Sequence, residues 1–200
     1  MSFLMSLSRG IDFINRWVGK MAMWLILAAT LISAGNAIVR KAFNMSSNSL
    51  LEIQWYLFAA VFMLGGGYAF LKNAHVRIDF ISSKLQPRTR NWIDVAGIVV
   101  FLLPMCYMIG TMSWPLVYNA YVSGEVSASA GGLIRWPVYA LIPAGFLLLA
   151  LQGISELIKR LNFLFAQGDD VLAQTGSSEA EMLAKQIAEA EKLAAKTGAR

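Results

Sequence analysis

Chemistry-bearing side chains are scarce in this sequence, which has one cysteine, Cys106, and one histidine, His75. A disulfide framework needs paired cysteines and a zinc site needs several convergent Cys or His ligands, so neither is available. His75 has Arg77 and Asp79 as neighbours but no second histidine and no exposed thiol to work with. A relay or metal centre requires such convergence, so a packed or salt-bridged loop is the preferred reading of this triplet. No catalytic, metal or cofactor-binding residue is assigned, and the chain is not read as an enzyme.

Charge is scarce too. Only 14% of the residues are Asp, Glu, Lys or Arg, whereas 57% are hydrophobic. The mean hydropathy of +0.55 places the chain in the membrane class. The basic pI near 9.5 raises the question of nucleic acid. The cations lie at the ends of apolar runs rather than along one face of a soluble fold, which is a membrane-surface pattern and not a nucleic-acid footprint.

What the sequence does have is long stretches without any charge. Residues 21–39, 53–71, 95–124 and 136–155 contain no Asp, Glu, Lys or Arg. About 20 helical residues cross a hydrocarbon core ~30 Å thick. The expected fold is therefore an all-α integral membrane protein with four transmembrane helices, over about 20–39, 52–71, 92–113 and 137–158. The first span has small residues after it, SAGNA, as a cleaved signal peptide would. Its uncharged run is long enough to span, and the segment before it is long for a signal n-region, so an uncleaved anchor is preferred.

The distribution of Lys and Arg sets the expected orientation. Arg9, Arg16, Lys20, Lys72, Arg77, Lys84, Arg88, Arg90, Lys159 and Arg160 flank one side, against Arg40, Lys41 and Arg135 on the other. By the positive-inside rule both termini and the loop between spans two and three face the cytoplasm. In that loop Ile78, Ile81 and Leu85 share a helical face, predicting a short interfacial cytoplasmic helix ended by Pro87, although Val76, Ile78 and Phe80 also alternate as in an extended segment. The third uncharged run is too long for one crossing. A helix ending near Ser113, with Pro104 as a kink, leaves an aromatic-rich periplasmic segment up to Trp136. Residues 1–163 form the membrane domain. Residues 164–200 read as a linker and a charged helical tail, with a Ser178–Glu181 capping box and a Glu181–Lys185 pair. Its thin apolar face favours a solvated tail over a coiled coil or docking helix.

Candidate partner-interface residues are Glu52, Gln54, Gly65, Gly66, Gly67, His75, Arg77, Asp79, Gln152 and Glu156. The glycines permit close backbone approach, which must drive association where lipid offers no hydrophobic gain, whether inside the bundle or to a partner. Gln152, Glu156, Lys159 and Arg160 form a polar stripe, read either as rim salt bridges worth under ~1 kcal/mol or as inter-subunit hydrogen bonds. No span carries a central acid or base, so a transport pathway within this chain alone is not evident.

Three segments carry a family resemblance: LEIQWYLFAAVFMLGGGYAFLKNAHVRIDF (51–80), SWPLVYNAYVSGEVSASAGGLIRWP (113–137) and LIPAGFLLLALQGISELIKR (141–160). Together they resemble the small permease subunit of tripartite ATP-independent periplasmic (TRAP) transporters, the DctQ-like family, over about residues 10–163. The likeness is greatest to the branch labelled for mannitol or chloroaromatic compounds. Two positions depart from the pattern: Ala74 replaces an acid before His75, and Ile134 stands where a proline is expected. The resemblance implies a bacterial cytoplasmic (inner) membrane protein, multi-pass, with no cofactor. It would serve as scaffold beside a large permease subunit and help receive a periplasmic substrate-binding protein during ion-gradient-driven import of an organic acid. Glu125, Arg135 and Trp136 are the candidate periplasmic docking residues. The alternative is a self-sufficient four-helix membrane protein, such as a small channel or membrane-enzyme component.

Overall fold

The computed structural model describes residues 2–43, 47–72, 86–129 and 132–166. The expected interfacial helix, His75, Arg77, Asp79 and the tail from residue 167 onward lie outside the described residues. Four helices account for almost everything else: α1 (Ser2–Phe43), α2 (Asn48–Leu71), α3 (Pro87–Ser123) and α4 (Trp136–Ala166). Each is long and apolar enough to cross a membrane, and each contains one of the expected spans.

The helix ends follow local chemistry. α3 begins with Pro87, whose missing N–H costs nothing in a first turn. It closes at Gly124, where φ of 62° demands a residue without Cβ, and the Glu125 N–H reaches back to the Ala120 carbonyl at 3.1 Å. Within α3 the backbone widens into a π turn over Ile98–Leu102, with the Leu103 N–H bonded to the Ile98 carbonyl. Pro104 follows directly, and a proline clashes with the carbonyl four residues back; the wider turn relieves that crowding in place of a simple kink.

α3 does not stop near Ser113 as expected. It runs ten residues further, through Pro115, to Ser123. Membrane helices tolerate an internal proline because neighbouring groups re-satisfy the freed carbonyl. Trp114, Tyr118 and Tyr121 thus project from successive helical turns, all exposed, rather than from a loop.

α4 is the centre of the bundle. It packs against α1, α2 and α3, while α1 and α2 also pack on each other. Glycines set the closest approaches. Gly145 lies against the Met63 carbonyl and Gly67 against the Leu148 carbonyl, so α2 and α4 meet backbone to backbone. Gly65 and Gly66 do not join this seam, since a Cβ at either would meet open space within the chain. Their neighbour Gly67 occupies the one position of the three that turns towards α1 and α4.

The bundle is level at one end and staggered at the other. The start of α2 and the segment after α3 meet at a common loop end, where Glu52 of α2 touches Ser127 and Leu133. From there α2 runs 24 residues but α4 runs 31 and α3 runs 37. At ~1.5 Å per residue, α4 and α3 exceed α2 by roughly 10 and 20 Å. The longer helices therefore project beyond α2 at the terminal end.

Candidate functional site: two polar clusters joining the helices

At the terminal end the helices share a buried polar chain. On α1, the positions turned inward are Ser8, Ile11, Asp12, Asn15, Gly19 and Ala22, a helical stripe opposite the exposed Phe13 and Trp17. On α4 the facing positions are Gln152, Ser155, Glu156, Lys159 and Arg160. Gln152, Ser155, Glu156 and Arg160 are at most 1% exposed.

The charges alternate across three helices. Lys159 Nζ sits 2.7 Å from Asp12 Oδ2 on α1 and 2.8 Å from Glu156 Oε1 on its own helix. Arg160 lies 3.6 Å from Glu156 Oε2 through Nη2 and 2.5 Å from Asp94 Oδ2 on α3 through Nη1. The sequence Asp12–Lys159–Glu156–Arg160–Asp94 thus ties α1 to α4 to α3. Neutral groups complete it. Gln152 Nε2 and Ser155 Oγ donate to Asp12 Oδ1 at 3.0 and 2.7 Å, and Asn15 Nδ2 donates to Gln152 Oε1 at 2.9 Å. Ser8 Oγ lies 2.7 Å from Ser155 Oγ. Since the Ser155 proton points to the carboxylate, Ser8 is the donor there.

Gln152 and Glu156 are therefore not exposed rim groups. Their bonds are made within the chain and out of solvent. Exposed pairs contribute ~0–1 kcal/mol, whereas removing one member of a buried pair costs about 3–5 kcal/mol. These links join α1, α4 and α3 at one level of the bundle. The participation of Ser8, Asp12, Asn15 and Asp94 was not anticipated. The signal available was spacing: Ser8, Asp12, Asn15 and Gly19 recur every three or four residues in what reads as a flank, and Asp12 is the first acid of the chain, with none after it until Glu52.

The second cluster closes the loop end. Glu52, one turn into α2, accepts the Ser127 hydroxyl at one carboxylate oxygen and the Leu133 N–H at the other, at 2.8 Å. The loop itself is a small hairpin. Val126 pairs with Ile134, Ser127 N–H donates to the Leu133 carbonyl at 2.9 Å, and Arg135 N–H to the Glu125 carbonyl at 2.9 Å. Tyr56, one turn beyond Glu52, donates its hydroxyl to the Ile134 carbonyl at 3.3 Å. The side chains of Glu125 and Arg135 pair at 2.8 Å, both more than a third exposed. The hydrogen bond to Glu125 pushes the Arg135 guanidinium above its ordinary range, so this cation stays charged at any physiological pH. Trp136 opens α4 with its ring edge-on to Tyr121 at 5.6 Å. Gln54 is half-buried on α2 and joins neither cluster.

Among the described residues, Asp12, Glu52, Asp94, Glu125 and Glu156 are all the acids, and every one is engaged by a partner within the chain. What this arrangement does chemically is hold helices and a loop in place. The family model for the DctQ component of tripartite ATP-independent periplasmic transporters matches residues 29–163.

The chain belongs to this family.

A relative from Haemophilus influenzae with the name "Putative TRAP transporter small permease protein" is 27% identical over 154 residues, covering 76% of this chain and 92% of its own. No solved structure matches. The DctQ match takes in the α3 and α4 members of the terminal polar chain and the whole loop cluster. Ser8, Asp12 and Asn15 lie before it. This DctQ protein is thus a multi-pass membrane protein and a transporter component, with four helices able to span.

Proposed function

We propose that the chain is the fixed scaffold subunit of a three-part importer. In this reading it lies in the bacterial inner membrane with both termini and the staggered end of the bundle in the cytoplasm. The large permease subunit moves the solute, an organic acid or related compound, and a periplasmic binding protein delivers it. The observation that carries the scaffold role is the consumption of charge in links between helices. Asp12, Glu156 and Asp94 are each paired with Lys159 or Arg160, three carboxylates linked by two cations in one chain that favours a single arrangement of α1, α3 and α4. A subunit that carried the coupling ion would keep ligands available to it near the bilayer centre.

The family match supports the membership of a tripartite system. The loop end, rich in exposed backbone and bearing the Glu125–Arg135 pair, suits reception of the binding protein, while Gly65, Gly66 and Gln54 on α2 suit contact with the large subunit. Reconstitution tests the proposal. Liposomes holding this chain alone should show no gradient-driven uptake of the solute that copurifies with the cognate binding protein, and addition of the large subunit and binding protein should restore it. Saturable uptake by the chain alone would overturn the scaffold role and favour a self-sufficient membrane protein.

A further inference from the structure

The two polar features of the loop end are unequal. Glu125 and Arg135 are the conspicuous charges, but they pair with each other across the neck of the hairpin and face solvent. An exposed pair of this kind is screened by salt and does little to fix a loop. Glu52 is different. It belongs to α2, which is seated against α1 and α4, and its carboxylate reaches out of the helix to the two strands of the hairpin at once. Its partners are the Ser127 hydroxyl on the outgoing side and the Leu133 backbone N–H on the returning side. Ser127 and Leu133 are also joined by their own backbone bond at 2.9 Å, so one carboxylate clamps one rung of the hairpin. Hydrogen bonds to an ionised acceptor are roughly twice as strong as neutral ones.

We propose that Glu52 is the positioning residue for binding-protein docking: it anchors the 125–135 hairpin to the bundle in the shape the binding protein meets. This rests on the docking role assigned above to that loop. Its consequence is that docking depends more on Glu52, which the binding protein need not touch, than on the exposed charge pair. A loop held in shape before encounter does not have to be ordered at binding, and that ordering cost appears directly as lost affinity. Gly132 offers an independent handle on the same shape. A Cβ there would run into the Ser127 carbonyl, so a side chain distorts the hairpin from within its own rung.

The test uses the full complex of this chain with its large subunit in nanodiscs, titrated with fluorescently labelled cognate binding protein. Glu52→Ala should raise the half-saturating concentration roughly tenfold and abolish hydrogen-exchange protection of the Leu133 amide. Copurification with the large subunit and the maximal signal should be unchanged. Glu52→Gln keeps an acceptor for Leu133 and should recover most of the affinity. Gly132→Val should weaken docking as Glu52→Ala does. If Gly132→Val weakens docking while Glu52→Ala leaves both docking and Leu133 protection intact, the role given to Glu52 is wrong and the docking loop stands. If Glu52→Ala exposes Leu133 but neither variant alters docking, the loop is not the docking surface and both readings fail.

Discussion

Asp12→Ala probes the terminal polar chain at the point where α1 joins it. The substitution removes a carboxylate that accepts from Lys159 at 2.7 Å, Ser155 at 2.7 Å and Gln152 at 3.0 Å. Lys159 keeps Glu156 at 2.8 Å, so its charge is not stranded, which places the ionic loss below the full cost of breaking a buried pair. Ser155 can turn to the Ser8 carbonyl, 3.2 Å away, and Gln152 Nε2 keeps Glu156 Oε1 at 3.4 Å, but one of its two N–H groups loses its acceptor in a fully buried position. One weakened charge link and one orphaned donor together give a loss of about 2–4 kcal/mol. The measurement is unfolding of the purified complex in mild detergent, with Asp12→Asn and Lys159→Met completing the set. Asp12→Asn should recover part of the loss by accepting one hydrogen bond without the charge. The Asp12→Ala and Lys159→Met double variant should be less destabilised than the sum of the singles, with a coupling of roughly 1–3 kcal/mol. A loss within ~0.5 kcal/mol, or strict additivity, would show that the chain of charges does not hold α1 to α4 and would refute the reasoning.

Other outcomes follow from the packing and the loop. Gly145→Leu should separate α2 from α4, because its side chain meets the Met63 backbone, and should reduce recovery of folded protein; the same change at Gly66, which faces open space within the chain, should leave the isolated subunit folded but weaken its copurification with the large subunit. In a Cys106→Ser background, cysteine placed at Ser127 should label from the periplasmic side and cysteine at Ser83 from the cytoplasmic side; the reverse would contradict the orientation drawn from the cation distribution. Exchanging the signs at Glu125 and Arg135 keeps the pair, so it should alter the salt dependence of binding-protein association with little effect on assembly.

The four spans were legible because a charge-free run of about 20 residues has few alternatives to crossing a membrane. The i, i+4 relation of Gln152, Glu156 and Arg160 was equally plain, but not their burial, which depends on a partner helix some 140 residues earlier in the chain. Asp12 and Asn15 were missed because the first 19 residues were read as a flank by charge count. Cations on the outer face, such as Arg16 and Lys20, hid the small and polar stripe on the inner one. The extension of α3 through Pro115 was missed because an uncharged run too long for one crossing was cut at the length of a span, whereas a membrane helix can continue through proline and aromatic residues. Glu52 was visible as an unexpected acid at a helix end, yet nothing in its neighbourhood along the chain pointed to residues 127 and 133.

The central claim is that this bundle stays rigid while the large subunit moves. Ser8 Oγ and Ser155 Oγ lie 2.7 Å apart across α1 and α4, close enough that cysteines in their place can be joined by oxidation. With Cys106→Ser as background, the Ser8→Cys, Ser155→Cys protein is reconstituted with the large subunit and uptake from the loaded binding protein is followed before and after oxidation. A rigid scaffold predicts the same uptake rate in both states. Loss of uptake on oxidation that is restored by reductant would show that α1 and α4 must separate during transport, and would contradict the account.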